Sequence, residues 1–549
     1  MIFLETAEGD LSKKSMVKIK SSIIFICPQR PSLFFPLMFP PNGSLLLLLF
    51  LFVIASMTSR VTARSSLDTL LPLEDKYQTT KSWIDSEDPF SNGQLLGSDA
   101  QEKRRQELYG HLFGRLSPWN QDYVQTLLTG DLRGEEDQRF VDFSKAGTYY
   151  GEDSASAIPY PQEWLSSIKE NSNLSELNSL KYDATRRGIT TKNLAARLLP
   201  TDQHAFENPL LPGEGDTFDY LQMSAVWVGT PVYILAETRD RVWDLVLTPD
   251  FIAWVKSEGI ALTDENFLQD WSAAASKKLV AITKTATPLQ KEQGELLSLA
   301  YVGACFPQGH SASTIMVPNA DQDHHAKMEE ISMDPQAIAP IPLSLTPHHM
   351  ADIMETLIGR PYGWGGMDFN NDCSAELKNL FLPFGIYLPR HSSDQMAVGQ
   401  VIDKSADSYE DRLSYLVDYG KPFLSLIYIG KYPGEDPKYY SVLDDTSHQP
   451  LLAMTYQNLW GLRPASGTPR RAIIGRATFF PLLLEYPEDN TLLSLANRSL
   501  FQISDLSQFP SQDFLSRTPA ASSILGLSKK EALSTHLKSL MSPEDRGAF

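Results

Sequence analysis

The spacing of apolar positions changes several times along the chain, and each change marks a different kind of element. Met350, Ile353, Met354 and Leu357 recur at the spacing of one helical face, with Thr346-Pro347 as cap and first-turn proline ahead and Gly359 behind. Leu377, Leu380, Phe381 and Phe384 repeat that spacing directly after Cys373, up to Gly385, so the pattern predicts two helices here. Upstream the texture differs. Ala225-Val226-Trp227-Val228-Gly229-Thr230-Pro231-Val232-Tyr233-Ile234-Leu235, Val242-Trp243-Asp244-Leu245-Val246-Leu247 and Trp254-Val255-Lys256 are short aromatic and β-branched runs between polar turns. They predict a small antiparallel barrel. Residues 275–342, punctuated by Gly303, Pro307, Gly309 and Pro318, predict a second.

Between 111 and 199 amphipathic fragments such as Trp164-Leu165-Ser166-Ser167-Ile168, without long β-branched runs, predict a small helical region. Residues 65–110 are rich in Ser, Asp, Glu and Gln and are expected to be a linker. The expected organisation is a leader over 1–64, the linker, the helical region over 111–199, barrels over 200–265 and 275–342, a domain around Cys373 over 345–485, and a tail over 486–549. The tail is rich in Ser and Leu, and its short apolar stretches are expected to pack as helices.

The leader is built in the order of a secretory signal: Lys13, Lys14, Lys18, Lys20 and Arg30, an apolar run over 45–55, then Val61-Thr62-Ala63. The run is short against the ~20 residues that cross a bilayer, and a retained membrane anchor is the rival reading. A start nearer Met16 would shorten the basic region. No cysteine follows the run, so a lipid anchor is not supported. Export to the periplasm or cell envelope is expected, with membrane contact only through an uncleaved leader.

At 549 residues the chain holds three to four domains of roughly 150 residues, and 42% hydrophobic with 21% charged residues excludes a fully disordered chain. Lys+Arg 48 against Asp+Glu 67, a net charge of −19, argues against a broad nucleic-acid surface. Cys27, Cys305 and Cys373 are too few for a disulfide scaffold and too scattered for a zinc site, and no cofactor is implied. If the leader is removed, Cys305 and Cys373 remain and could pair in an oxidising compartment, which would disable either as a nucleophile.

The densest chemistry is Gly359-Arg360-Pro361-Tyr362-Gly363-Trp364-Gly365-Gly366, leading into Asp372-Cys373-Ser374. Cys373 falls at the N-terminus of a predicted helix, where free amides and the helix dipole favour the thiolate. The glycines let the backbone approach a ligand, and Tyr362 and Trp364 could wall a cleft. A buried structural cysteine is the plain alternative, but the crowded glycines and aromatics favour a nucleophile.

These residues, with Pro383-Phe384-Gly385-Ile386-Tyr387-Leu388-Pro389-Arg390-His391-Ser392-Ser393, resemble the NlpC-type bacterial cell-wall cysteine peptidases. The resemblance is to the branch with two SH3-like domains ahead of the catalytic one. Phe218-Asp219-Tyr220-Leu221-Gln222, with Gly229-Thr230-Pro231 and the tryptophans at 243 and 254, looks like its first SH3-like domain. The implied fold is multidomain: a small helical N-terminal region, two SH3-like β-barrels and a papain-like α+β cysteine peptidase domain. The implied activity is hydrolysis of γ-D-glutamyl-diamino-acid bonds in peptidoglycan stem peptides, with those peptides or muropeptides as partners.

Thiol acyl transfer needs a nucleophile, a base and a group that orients the base. The family pattern assigns Cys373 the first place and Gln457, shortly before Trp460-Gly461, the third, where His is usual. The family's base is a His that opens a strand after a Gly, and that Gly-His pair is absent. A short deletion, or a replacement that puts Leu424 where His belongs, accounts for it. His448 is a candidate substitute, and His391 a wall or surface residue. Asp372, Ser374, Asp219 and Tyr220, with Gln222, are candidate substrate contacts; bracing of a barrel turn is the alternative for the barrel residues. His324-His325 beside Asp321 and Asp323 is read as solvated surface, and the tryptophans at 227, 243, 254 and 271 as core. The functional expectations are a peptidase with its base missing, a catalytically impaired relative that keeps the cleft to bind wall fragments or a partner, and, more remotely, acyl transfer to an amine.

Overall fold

The structure, a computed structural model, describes residues 78–80, 84, 89, 91–146, 148–151, 158–206, 218–430, 438–443, 454–459, 462–465, 468–473, 476–481 and 500–510. The leader with Cys27, and His448, lie outside the described residues.

The N-terminal region comprises α1 (Ser98–Leu112), α2 (Gln121–Leu127), α3 (Leu132–Ala146) and α4 (Gln162–Asn171). Helix α1 occupies much of the stretch expected to be a linker, and polar side chains as well as Leu108, in a core with Ala275 and Leu279, dock it. The Gln101 amide donates to the carbonyls of Leu343 and Phe384, and the Arg104 guanidinium to those of Val398, Leu506 and Gln508. Further upstream the Gln78 amide bonds both the N–H and the carbonyl of Phe479. The Thr80 backbone N–H and hydroxyl both donate to Glu355.

The first barrel is a seven-stranded antiparallel sheet. Its strands are β1 (Arg187–Thr190), β2 (Leu194–Arg197), β3 (Gln222–Val226), β4 (Pro231–Glu237), β5 (Trp243–Leu247), β6 (Ile252–Lys256) and β7 (Ile260–Leu262), in the order β3-β2-β6-β5-β4-β1-β7. It begins at Arg187 rather than at 200. Strands β1 and β2 are only four residues each, too short for a pattern to stand out, yet they pair into the sheet along β4, β7 and β3. Trp243 and Trp254 are buried in a core shared with Phe140 and Phe143 of α3.

Helix α5 (Glu265–Lys277) leads into β8 (Leu279–Ile282), β9 (Thr287–Gln290), β10 (Leu296–Ala300), β11 (Cys305–Pro307), β12 (Thr314–Ala320), β13 (Ala326–Ser332) and β14 (Ile338–Pro340). They form three small antiparallel sheets, β11-β8-β14, β10-β9 and β12-β13, around a core that includes Trp227, Trp271 and Phe306. In the β12–β13 turn the Asp321 carboxylate accepts from the N–H groups of Asp323 and His325 and pairs with Lys327.

The last domain holds α6 (Pro347–Leu357), α7 (Cys373–Phe381), α8 (Ser392–Gln395), β15 (Gln400–Asp403), α9 (Tyr409–Tyr419), β16 (Ser425–Gly430), β17 (Lys438–Leu443), β18 (Met454–Leu459), β19 (Leu462–Ala465), β20 (Thr468–Ile473), β21 (Arg476–Pro481) and β22 (Leu500–Asp505). Thr346 caps α6 as its sequence predicts. A six-stranded antiparallel sheet runs β15-β22-β16-β17-β18-β21. Strand β22 corrects the helical expectation for the tail. Phe501 and Ile503 alternate onto the buried face, a two-residue period too brief to stand out in a Ser/Leu-rich segment. Leu377, Leu380 and Phe381 of α7 share a core with Leu424, Leu426, Ala477 and Phe479 of the sheet side. Among the described residues no helix is long and apolar enough to cross a membrane.

Helix α1, the first barrel and the last domain meet at a buried polar junction. The His111 ring stacks on Tyr387 at 3.8 Å. The Tyr387 hydroxyl donates to Asp250 at 2.8 Å, and Lys378 of α7 pairs with the same carboxylate at 3.1 Å. Burial pushes His111 down to about 4; Asp250 opposes the shift, and Lys378 and Arg115 reinforce it.

Two outcomes are expected. A chain ending before Leu500 lacks the strand between β15 and β16, so its last domain should lose cooperative thermal unfolding while the first barrel's transition persists. Free histidine titrates near 6.5, so between 6.5 and about 4 the unfolded chain binds a proton that the folded chain refuses. Stability is therefore full above pH 6.5 and is lost as pH falls through this window, by up to about 3 kcal/mol. His111→Phe, which keeps the stacking, should remove that acid loss from the melting temperature measured against pH.

Candidate active site

Helix α7 begins at Cys373, and the residue before it makes that start possible. Asp372 is the N-cap: one carboxylate oxygen accepts from the Ala375 N–H at 2.9 Å, and the other from the Gly365 N–H at 2.9 Å. Arg390 completes the cap. Its guanidinium donates to Asp372 at 2.5 Å, to the Ser374 hydroxyl at 2.9 Å and to the Ser224 hydroxyl on β3 at 2.8 Å. All three partners are buried. Burial alone would push the Asp372 carboxyl up, but the Arg390 charge and hydrogen bond and the two backbone amides reverse this and hold it low. Burial likewise works against the Arg390 charge, but Asp372 outweighs it, and Cys373 and Tyr362 also favour the cation. A permanent ion pair thus flanks the thiol.

Cys373 and Cys305 are both buried free thiols, so the pairing open to them in sequence is not made. Burial pushes the Cys305 thiol up to about 12, which makes it inert.

The cleft walls come from two domains. Phe218 of the barrel lies 6.3 Å from Tyr362 and 5.7 Å from Trp364 between ring centroids, and Tyr220 meets Trp364 edge-on at 5.4 Å. Gly365 and Gly366 take φ of 62° and 79°. A Cβ at Gly365 would fall 2.1 Å from the Gln222 carbonyl oxygen, and one at Gly366 2.5 Å from the Ala225 nitrogen. Only glycine lets β3 rest directly on this loop. The Gln222 amide then donates to the Gly365 carbonyl at 3.1 Å.

The structure thus gathers Tyr362, Trp364, Asp372, Ser374 and Tyr220 with Cys373. Asp219 is fully buried and directs its carboxylate inward, to Arg197, to His204 at 2.8 Å, and to the N–H groups of Ala205 and Leu221 at 2.9 and 3.0 Å. That geometry fits the bracing of a barrel turn. Gln457 sits on β18 directly opposite Thr478 of β21; its side chain lies outside the described residues. His391 occupies the N-cap position of α8. Leu424 is 2% exposed in the core just ahead of β16, and Phe423 before it has a φ of 62°. Sequence reading did not single out Arg390 or Ser224. Arg390 lay inside a quoted run, but nothing local to it points across 166 positions to Ser224.

A cysteine at the capped N-terminus of a helix packed on an antiparallel sheet is the arrangement of a thiol peptidase. Residues 204–256 match the family model described as an SH3 domain of the SH3b1 type, and residues 359–411 match the NlpC/P60 family. An NlpC/P60 endopeptidase from Photobacterium damselae subsp. piscicida is 26% identical, with 79% of this chain and 98% of that one covered and a TM-score of 0.67. An NlpC/P60 family protein from Bacillus cereus ATCC 10987 is 13% identical, covering 57% of this chain and 98% of its own at a TM-score of 0.37. NlpC2 from Trichomonas vaginalis is 11% identical, covering 59% and 99% at 0.23. No protein with a curated description matches. The chain therefore carries a stretch that matches an SH3 domain ahead of one that matches the NlpC/P60 family, and it is similar to an NlpC-type cell-wall peptidase with an SH3 domain.

Arg390→Met should leave the Asp372 carboxylate buried without its cation. A loss of about 3–5 kcal/mol in denaturant unfolding is expected, and Asp372→Asn on top of it should recover part of that loss.

Proposed function

We propose that the protein is an exported endopeptidase of peptidoglycan stem peptides, cutting the γ-D-glutamyl-diamino-acid bond with Cys373 as nucleophile, its turnover restrained by Leu424 in the place of the base. The observation that carries this reading is Cys373 at the start of α7, capped by Asp372, whose carboxylate also holds the glycine loop through the Gly365 N–H. The thiolate attacks the scissile carbonyl, the C–N bond breaks as the leaving amine takes a proton, and water hydrolyses the thioester. Protonation of the leaving amine is the step that suffers, at about two to four orders of magnitude in rate. Gln457 is the orienting group of this reading, and His448 a substitute donor. The barrel wall that includes Tyr220 would select the free amino end of the peptide.

Phe423 and Leu424 favour a second reading, a cleft kept for binding wall fragments or a partner. The left-handed backbone at Phe423 is a glycine conformation held by a bulky residue, at a cost of about 1–2 kcal/mol. It supports replacement of a Gly-His pair in place, rather than a deletion.

Purified protein and Cys373→Ala incubated with stem tripeptide and tetrapeptide, followed by mass spectrometry, separate the readings. Cleavage that vanishes in the variant supports the peptidase. Binding by both without cleavage supports the binding module, and neither binding nor cleavage ends the stem-peptide assignment. Phe423→Gly with Leu424→His should raise hydrolysis by about two orders of magnitude or more, because it restores the base at the strand entry.

A further inference from the structure

Gln395, the last residue of α8, is fully buried, and its amide is used asymmetrically. The nitrogen donates to the Ser374 carbonyl at 2.9 Å and to the Pro389 carbonyl at 2.8 Å. Two carbonyl acceptors can be met only by the NH2 end, so the chemistry fixes which end is which. The amide oxygen is left buried, with no hydrogen-bond partner among the described residues. An orphan acceptor costs about 1–3 kcal/mol. An apolar side chain of the same length would avoid that cost but would also lose both donated hydrogen bonds, so what glutamine adds here is the link between the two carbonyls.

The two carbonyls that it joins are telling. One belongs to the second residue of the helix that Cys373 opens, and the other to the residue just before Arg390. Arg390 in turn reaches Asp372, Ser374 and the barrel's Ser224. Gln395 therefore closes a loop of hydrogen bonds that runs from the first turn of α7 to the Pro389–Arg390 turn and back through the guanidinium. Its own helix is pinned from behind, where the Ser504 hydroxyl of β22 donates to the Met396 carbonyl at 3.0 Å.

We propose that Gln395 is a positioning residue for the Cys373 nucleophile: its amide locks the start of α7 against the Arg390 turn, and so holds the thiol at the helix terminus beside the guanidinium. This rests on the reading of Cys373 as the reactive thiol.

The test is site-resolved mass spectrometry of iodoacetamide alkylation on the full chain, at several pH values, for wild type, Gln395→Met and Gln395→Glu. Cys305, buried and with its thiol pushed up to about 12 by burial, serves as an internal reference for folding. Gln395→Met keeps the volume and removes the orphan oxygen together with both donated hydrogen bonds, effects of opposite sign, so its melting temperature should fall only modestly and the chain should stay folded. Its Cys373 alkylation rate at neutral pH should fall about three- to tenfold, the scale of a helix-terminus interaction, with a displaced pH profile. Gln395→Glu sets carboxylate oxygens against two carbonyls and should show a larger fall. A Cys373 rate and profile unchanged in Gln395→Met overturn the proposal. So does a rate that falls only together with new alkylation of Cys305, since that marks unfolding. Wild type in which Cys373 is alkylated no faster than Cys305 overturns the nucleophile reading and this proposal together.

Discussion

The buried pair of Asp372 and Arg390 is the interaction on which the site depends. Removing two charges from water is expensive, and such a pair persists only where further hydrogen bonds satisfy both ions. Here Asp372 takes the amides of Gly365 and Ala375, while Arg390 takes the hydroxyls of Ser374 and Ser224. Those four partners come from three parts of the site: Gly365 from the glycine loop, Ser374 and Ala375 from the first turn of α7, and Ser224 from the barrel. The ion pair therefore registers the cap, the cleft loop and the barrel wall against one another in a single network.

The seam between barrel and peptidase domain is fixed by backbone contact as well. Strand β3 lies against Gly365 and Gly366 so closely that no side chain fits between them. Ring contacts of Phe218 and Tyr220 with Tyr362 and Trp364 then close the wall. One turn further along the same face of α7, Lys378, Asp250, Tyr387 and His111 join three regions through a second polar junction. Helix α7 is thus held along one face by polar contacts and on another by the core of the sheet.

Sequence made legible what is local. The Thr346 cap, the helix after Cys373 and the strands with aromatic runs all follow from neighbours a few positions apart, and all are present. What stayed hidden depends on distant partners. Strands β1 and β2 are too short to show a period and gain their state from pairing with β4, β7 and β3. Helix α1 is docked by Gln101 and Arg104, residue types that read as linker. Strand β22 enters the sheet from far along the chain, between partners more than 70 positions away. At the site, Cys373, Tyr362 and Trp364 announced themselves through a dense local motif. Arg390 and Gln395 act on atoms that no sequence spacing predicts, and Asp219, inside an equally clear motif, serves the barrel instead.

The cleft and the base belong to separable parts of the molecule. The cleft is shaped by the glycine loop, the Asp372–Arg390 pair and the barrel, none of which involves β16. The base position is set by the turn into β16, where Phe423 holds a glycine-like backbone and Leu424 joins the core of Leu377 and Leu380. A leucine there adds apolar burial to that core, worth about 1.5–3 kcal/mol, which offsets the strain at Phe423. A leucine at that turn is thus accommodated by the core without disturbing the Asp372–Arg390 network or the contacts between the glycine loop and the barrel. The turn into β16 and the capped start of α7 are in this sense separable: the first is decided by apolar packing, the second by a buried ion pair and its hydrogen bonds.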